Sequence, residues 1–194
     1  MAVTVMAALP SYAGGRRVHF GAEWGVHCNF ISLHESSFIT ADRYMVESSN
    51  MVYGSHVNGM LAVFAGYDIM KRWNVSLSTG CLGTQKGERV VPASVKVTAY
   101  LSDCAGTSSG SLVFLEAGSG FRAGAELSWL GRSGYGYRIP LAGPAALDVN
   151  ASALFSYTHP AVYDRYSHKI VEKKDLGSSK SYNIGVLLSF AIVF

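Results

Sequence analysis

Charge is what this 194-residue chain has least of: Asp, Glu, Lys and Arg make up 15% of it, against roughly 25% in typical soluble domains. A surface wetted on all sides is hard to build from so few charges. Nor is there a run of the roughly 18 uninterrupted apolar residues that a helix needs to cross a bilayer. With 49% hydrophobic residues and a mean hydropathy of +0.20, the remaining way to meet lipid is as strands, because only helices and closed sheets satisfy the backbone there. The net charge of +3 is too small and too dispersed to argue for nucleic acid. Cysteine is scarce as well. Cys28, Cys81 and Cys104 cannot all pair within the chain, and no CxxC or Cys/His spacing suggests zinc. Cys28 and Cys81 fall on apolar faces of predicted strands and read as small buried hydrophobes; Cys104, in a turn, reads as a free thiol.

What the chain does have is alternation. From Tyr182 to Phe194 every even residue is apolar, while Asn183, Gly185, Ser189 and Ala191 on the other face are small or polar. Successive strand residues point to opposite faces, so this run has one greasy side. Val18 to Ser32 repeats the pattern, with Phe20, Trp24, Val26 and Phe30 against His19, Glu23, His27 and Asn29. Further strands are predicted at 57–69, 73–81, 91–101, 113–123, 133–141 and 147–157, which makes eight. Leu33 to His56 and Thr158 to Ser181 lose the period and read as long loops. Thr84 to Arg89, Ser102 to Gly110 and Gly124 to Arg132 read as shorter connections. Residues 1–13 look like the back half of a secretory signal without its positive start, leaving a barrel domain over 14–194; an ordinary first strand or a frayed arm is the other reading.

Alternation alone does not say which face looks inward. A soluble barrel hides its apolar side and a membrane barrel displays it. Here the mixed face carries Glu23, Lys96, Glu116, Arg122, Arg138 and Asp148 among many of the 21 glycines, a composition that suits a narrow polar lumen with charges able to pair. The apolar face is nearly continuous, with Trp24, Tyr67, Trp73, Trp129 and Tyr157 toward several strand ends, as expected of aromatic girdles. The expectation is an all-β, eight-stranded antiparallel up-and-down transmembrane barrel. Eight strands enclose room for side chains and little more.

The segment from Trp73 to Gly87, an aromatic-led strand ending in Lys-Gly, resembles the small outer-membrane β-barrel ("porin family") proteins of Bacteroidetes-type bacteria. The strand from Val91-Pro92 to Tyr100-Leu101 and the Gly-rich Glu116 to Gly120 are similar to that family too. A weaker likeness, through Tyr100 to Asp103 and Val113 to Leu115, is to TraO-type proteins of conjugative elements. The resemblance implies an outer-membrane location, contact with outer-membrane lipid and lipopolysaccharide, and a C-terminal strand read by the barrel-assembly machinery through Tyr182, Phe190, Ile192 and Phe194. It does not confer channel activity.

No catalytic constellation is evident. Lipid A deacylases on eight-stranded barrels carry a His-x-Ser pair with a partnering Glu, whereas this chain offers Tyr166-Ser167-His168 in the wrong order. His159 and His168 lack a spaced carboxylate pair for a metal. No cofactor is expected. Lys169, Lys173, Lys174, Lys180 and Arg165 cluster in the last predicted loop, where they read as a solvated surface or as a contact for lipopolysaccharide phosphates or an envelope partner. The expected role is structural or a surface interaction, with the lumen plugged by paired charges. A narrow gated pore, a lipid-modifying enzyme and a conjugative-transfer component are the alternatives.

Overall fold

A computed structural model describes residues 17–40, 43–85, 88–101, 109–122, 126–141, 143–164, 169–172 and 174–194. The first thirteen residues, most of the connection over 102–108, Cys104, Arg165, His168 and Lys173 lie outside them. Eight long strands close into one antiparallel barrel: β1 (Val18–Ile39), β2 (Met45–Met70), β3 (Trp73–Gln85), β4 (Glu88–Tyr100), β5 (Gly110–Phe121), β6 (Ser128–Pro140), β7 (Ala146–Thr158) and β10 (Leu176–Val193). Each pairs with its sequence neighbours, and β1 closes the ring against β10 from Gly21–Val193 upward. A two-residue ribbon, β8 (Tyr163–Asp164) with β9 (Lys169–Ile170), decorates the β7–β10 connection.

The alternation resolves in the membrane sense. Val26, Leu61, Leu77, Leu115, Phe155 and Leu188 are exposed on the outside, while Glu23, His27, Asn29, Arg132, Asn183 and Ser189 are buried in the lumen. An isolated soluble barrel with this arrangement would face water with its apolar side and hide its polar one. In lipid the arrangement is favourable on both counts, since the closed ladder leaves no edge around the spanning wall. Cys28 and Cys81 are free and stand on this outer wall, Cys81 exposed, so neither is packed in a protein interior.

Three predicted boundaries move. Leu33 to His56 is not a loop: β1 runs on to Ile39, β2 starts at Met45, and only a short turn joins them. Polar residues stand on both faces there, and a bulge shifts the period besides. Phe30 has no partner of its own between the Asn29–Gly185 and Ile31–Ile184 pairs, so the parity of β1 flips. Phe30 and Ile31 both point outward, after which Ser32 and Phe38 are the buried positions. Ser128 to Arg132 belongs to β6, not to a connection, and Leu176 to Ser181 belongs to β10, not to the last loop. With β10 paired to β1 as far as Phe38–Leu176, the three strands β2, β1 and β10 stand as a flap above the rim.

Glycine lets the wall approach its own lumen. A side chain at Gly134 would place Cβ 2.7 Å from the ring of Phe114 and 2.5 Å from Cβ of Ser152, closer than atoms can pack. The bare backbone there gives the Phe114 ring its place in the narrow interior.

Candidate functional site

The lumen is filled in layers, set by which strand positions point inward. At the end of the barrel that holds Val18 and Val193, Asn74 Nδ2 donates to Asp68 Oδ1 (2.8 Å) and His19 Nε2 contacts the other carboxylate oxygen. Beside them Arg138 grips Asp148 through two bonds of 2.7 Å, and its guanidinium lies 4.9 Å from the centre of the Tyr100 ring. Above this layer is a cavity of about 20 Å³ lined by His19, Lys96, Tyr100, Phe114, Arg138 and Asn150, among others. That is space for a single water.

The central layer joins four charges from four strands. Glu23 accepts from Arg132 Nη1 (2.9 Å), Arg132 Nη2 (3.1 Å), Lys96 Nζ (3.2 Å) and Ser189 Oγ (2.6 Å). Arg132 also pairs with Glu116 at 2.8 Å, and Glu116 accepts from Ser78 (3.0 Å) and Ser94. Two carboxylates thus meet two cations with no formal charge left over. Phe64 and Phe114 cover the cations: Lys96 Nζ is 5.0 and 5.5 Å from the two ring centres, and the Arg132 guanidinium is 4.9 Å from Phe114. Aromatic faces of this kind favour a desolvated cation.

Toward the far rim the filling turns apolar, with Leu82, Val90 and Leu154 packed against Met60 and Leu130. Over the mouth the start of the β7–β10 connection is strapped to the opposite wall. Glu88 binds Arg122 Nη1 (2.7 Å) and accepts from the backbone N of Ala161 (2.9 Å), while Arg122 Nη2 donates to the carbonyl of His159 (3.3 Å). On the near wall, Ser179 Oγ donates to the carbonyl of Pro160 (2.6 Å). In that rim His34, on the inner face of the flap, is held below the ordinary imidazole range. Burial is the main cause, His56 adds to it, and Glu88 opposes it.

Of the six charges expected in the lumen, the structure brings Glu23, Lys96 and Glu116 together. Arg138 and Asp148 form a separate pair nearer the end that holds Val193. Arg122 departs from the expectation: it stands at the rim with Glu88, because β5 ends at Phe121 and the next side chain has left the ladder. Arg132, the hub of the central layer, is missed by a reading that assigns it to a loop. The signal was there: it shares even parity with Arg138 in a run whose odd positions include Trp129, Tyr135 and Tyr137. Trp129 and Tyr157 are register partners at the far rim, where the Tyr157 and Tyr182 rings lie 4.9 Å apart, and Tyr67 and Trp73 flank the opposite turn. Trp24 instead sits on the wall between them, 6.1 Å from Phe190 by ring centres. On the terminal strand, Phe190 and Phe194 are exposed on the outer face, with Ile192 half-buried between them. His159 approaches Glu126 at 3.5 Å, and among the described residues no group of three or more His, Cys, Asp or Glu is placed to hold a metal.

No family model matches the chain, and neither does any curated protein sequence. Among solved structures it is similar to three small barrels. The outer membrane protein OprG from Pseudomonas aeruginosa is 14% identical, with 93% of this chain and 98% of that one covered and a TM-score of 0.47. Outer membrane protein AlkL, solved in lipid bilayers, is 10% identical over 96% and 95%, with a TM-score of 0.45. Neisserial surface protein A is 12% identical over 91% and 97%, with a TM-score of 0.38. The likeness is one of architecture at most, and the closed sheet of this chain carries the fold by itself. An even-numbered antiparallel barrel with an apolar outer wall and a polar interior is the build of bacterial outer-membrane proteins. That membrane is where this chain resides.

Proposed function

We propose that the protein is a plugged outer-membrane barrel that acts through its exposed rim, as a structural or surface-interaction protein, and not by passing solutes. The single observation that supports this is the charge pairing of the central layer: Glu23 pairs with Lys96 and Arg132, and Arg132 with Glu116, across the lumen. Opening a path there separates buried charges, and each one stranded costs several kcal/mol. The apolar layer beyond it and the strap over the mouth add two further closures. The long flap and the strapped connection lie at one rim, which is read as extracellular because outer-membrane barrels put their longer connections there.

Planar-bilayer recording tests the reading. The purified barrel is expected to give no repeatable conductance steps across applied voltages. Frequent openings altered by Glu116→Ala would replace it with the gated-pore reading.

A further inference from the structure

Within the flap, β2 has a neighbour on one side only. β1 pairs with it from Met45 to Tyr53, whereas β3 takes up pairing at Met60. Among the described residues no strand covers the other edge of β2 before that point. The hairpin turn tells which backbone groups are left there. Thr40 N donates to the Tyr44 carbonyl, while Ile39 N donates away from β2, to the Asp175 carbonyl. Groups alternate along an antiparallel ladder, so the N–H and C=O of Met45, Glu47, Ser49, Met51 and Tyr53 face the uncovered side. Long natural edges are usually blunted by Lys, Pro or a bulge. The stretch from Met45 to Tyr53 has neither Lys nor Pro, and Met45, Met51 and Tyr53 are well exposed beside it.

We propose that this edge is a strand-addition site for an extended, proline-free segment of another polypeptide that carries Lys or Arg opposite Glu47. The proposal rests on the flap being the working surface of a plugged barrel, and it names the kind of partner. Main-chain bonds supply affinity in this mode, and alternate side chains supply selectivity. Backbone geometry decides against a second copy as the occupant. Two copies in one membrane share an orientation, and a two-fold along the membrane normal would face each free N–H with its counterpart N–H and each free C=O with its counterpart C=O, so no ladder can form. Glu47 is the one formal charge between Met45 and Tyr67, and a basic residue beside it on an added strand is favourable.

The probe is a fluorescein-labelled peptide of alternating Val and Thr with one central Lys, titrated against the folded barrel in detergent by anisotropy. Saturable binding is expected, weakened roughly tenfold or more by Ser49→Pro. That proline removes an N–H from the free side and spares the β1 ladder, as edge prolines do. Met51→Pro is an independent variant of the same design, and retained resistance to unfolding in SDS shows that each is folded. Glu47→Lys is expected to transfer the preference to the matching peptide with a central Glu. No saturable binding, or binding that folded proline variants leave intact, overturns the proposal. Self-association of the barrel that Ser49→Pro abolishes overturns it too, since the occupant would be a second copy. None of these readings depends on conductance, so loss of the plug and loss of the edge site are told apart.

Discussion

Glu23 accepts from three side chains at once, and this makes it unequal to its partners. Removing it strands Arg132 and Lys96 against each other and against two aromatic rings, with Glu116 left to balance both. Removing Ser189 takes one bond from a carboxylate that keeps two cations. Glu23→Ala is therefore expected to lower unfolding free energy in urea by about 3–5 kcal/mol, and Ser189→Ala by about 1 kcal/mol. Equal losses in the two variants would mean that the ion cluster is not the keystone of the lumen. A sequence reading finds three of the four members of this cluster because they sit in clean alternation. Arg132 escapes it because glycines at 131, 134 and 136 weaken the contrast between faces along β6, and a strand boundary placed a few residues late turns an inward arginine into a loop residue.

The flap shows where alternation stops being informative. Below Phe30 the β1–β2–β10 wall lies between lipid and a polar lumen, and the two faces need different residues. Above it only these three strands continue and they no longer enclose the lumen, so Ser, Asn, Glu and His stand on both sides while the backbone stays extended. The pattern vanishes although the strand does not, and the bulge at Phe30 shifts what pattern remains by one position. The flap also carries a group sensitive to pH. Because His34 holds its proton less tightly folded than unfolded, its neutral form is the one the flap accommodates. The flap is fully stable above the ordinary imidazole value near 6.5 and loses stability as pH falls through that range. Amide exchange across 32–38, corrected for its intrinsic rate, is expected to quicken between about pH 7.5 and about pH 5. His34→Gln is expected to flatten that dependence, and a wild-type profile without it would rule out His34 as the cause.

At the scale of the molecule the arrangement is a polar core in an apolar coat, and the same substitution has opposite meanings on the two faces. Leu188 is 59% exposed on the outer wall, one residue from Ser189, which bonds Glu23. Leu188 pairs with Ala151 near the middle of β7, and Leu188→Arg is expected to cost about 2–4 kcal/mol in lipid vesicles. In urea-folding measurements it should be far less damaging in loose detergent, where the new charge can reach water. Comparable loss in both media would argue that lipid is not what touches this wall. The number of strands, their order and the inward face were legible in the sequence because lipid and lumen impose opposite chemistry at a period of two. The cross-lumen partners were not legible. Which inward residue meets which depends on the stagger of the closed sheet, and no single strand encodes that.

The seam between β1 and β10 sets the order in which such a wall can be built. Its contacts join Gly21 to Val193 and Trp24 to Phe190, partners separated by most of the chain, and Glu23 meets Ser189 across the same seam. Hairpins such as β6–β7 form locally, but the ring pays its largest loop-closure entropy last, when the final strand arrives. Until then the first strand has an open side, and the keystone carboxylate lacks one donor. Acquisition of the native state is therefore concerted late in folding, and a chain stalled before β10 is a curved ribbon with two bare margins, a template for misassembly.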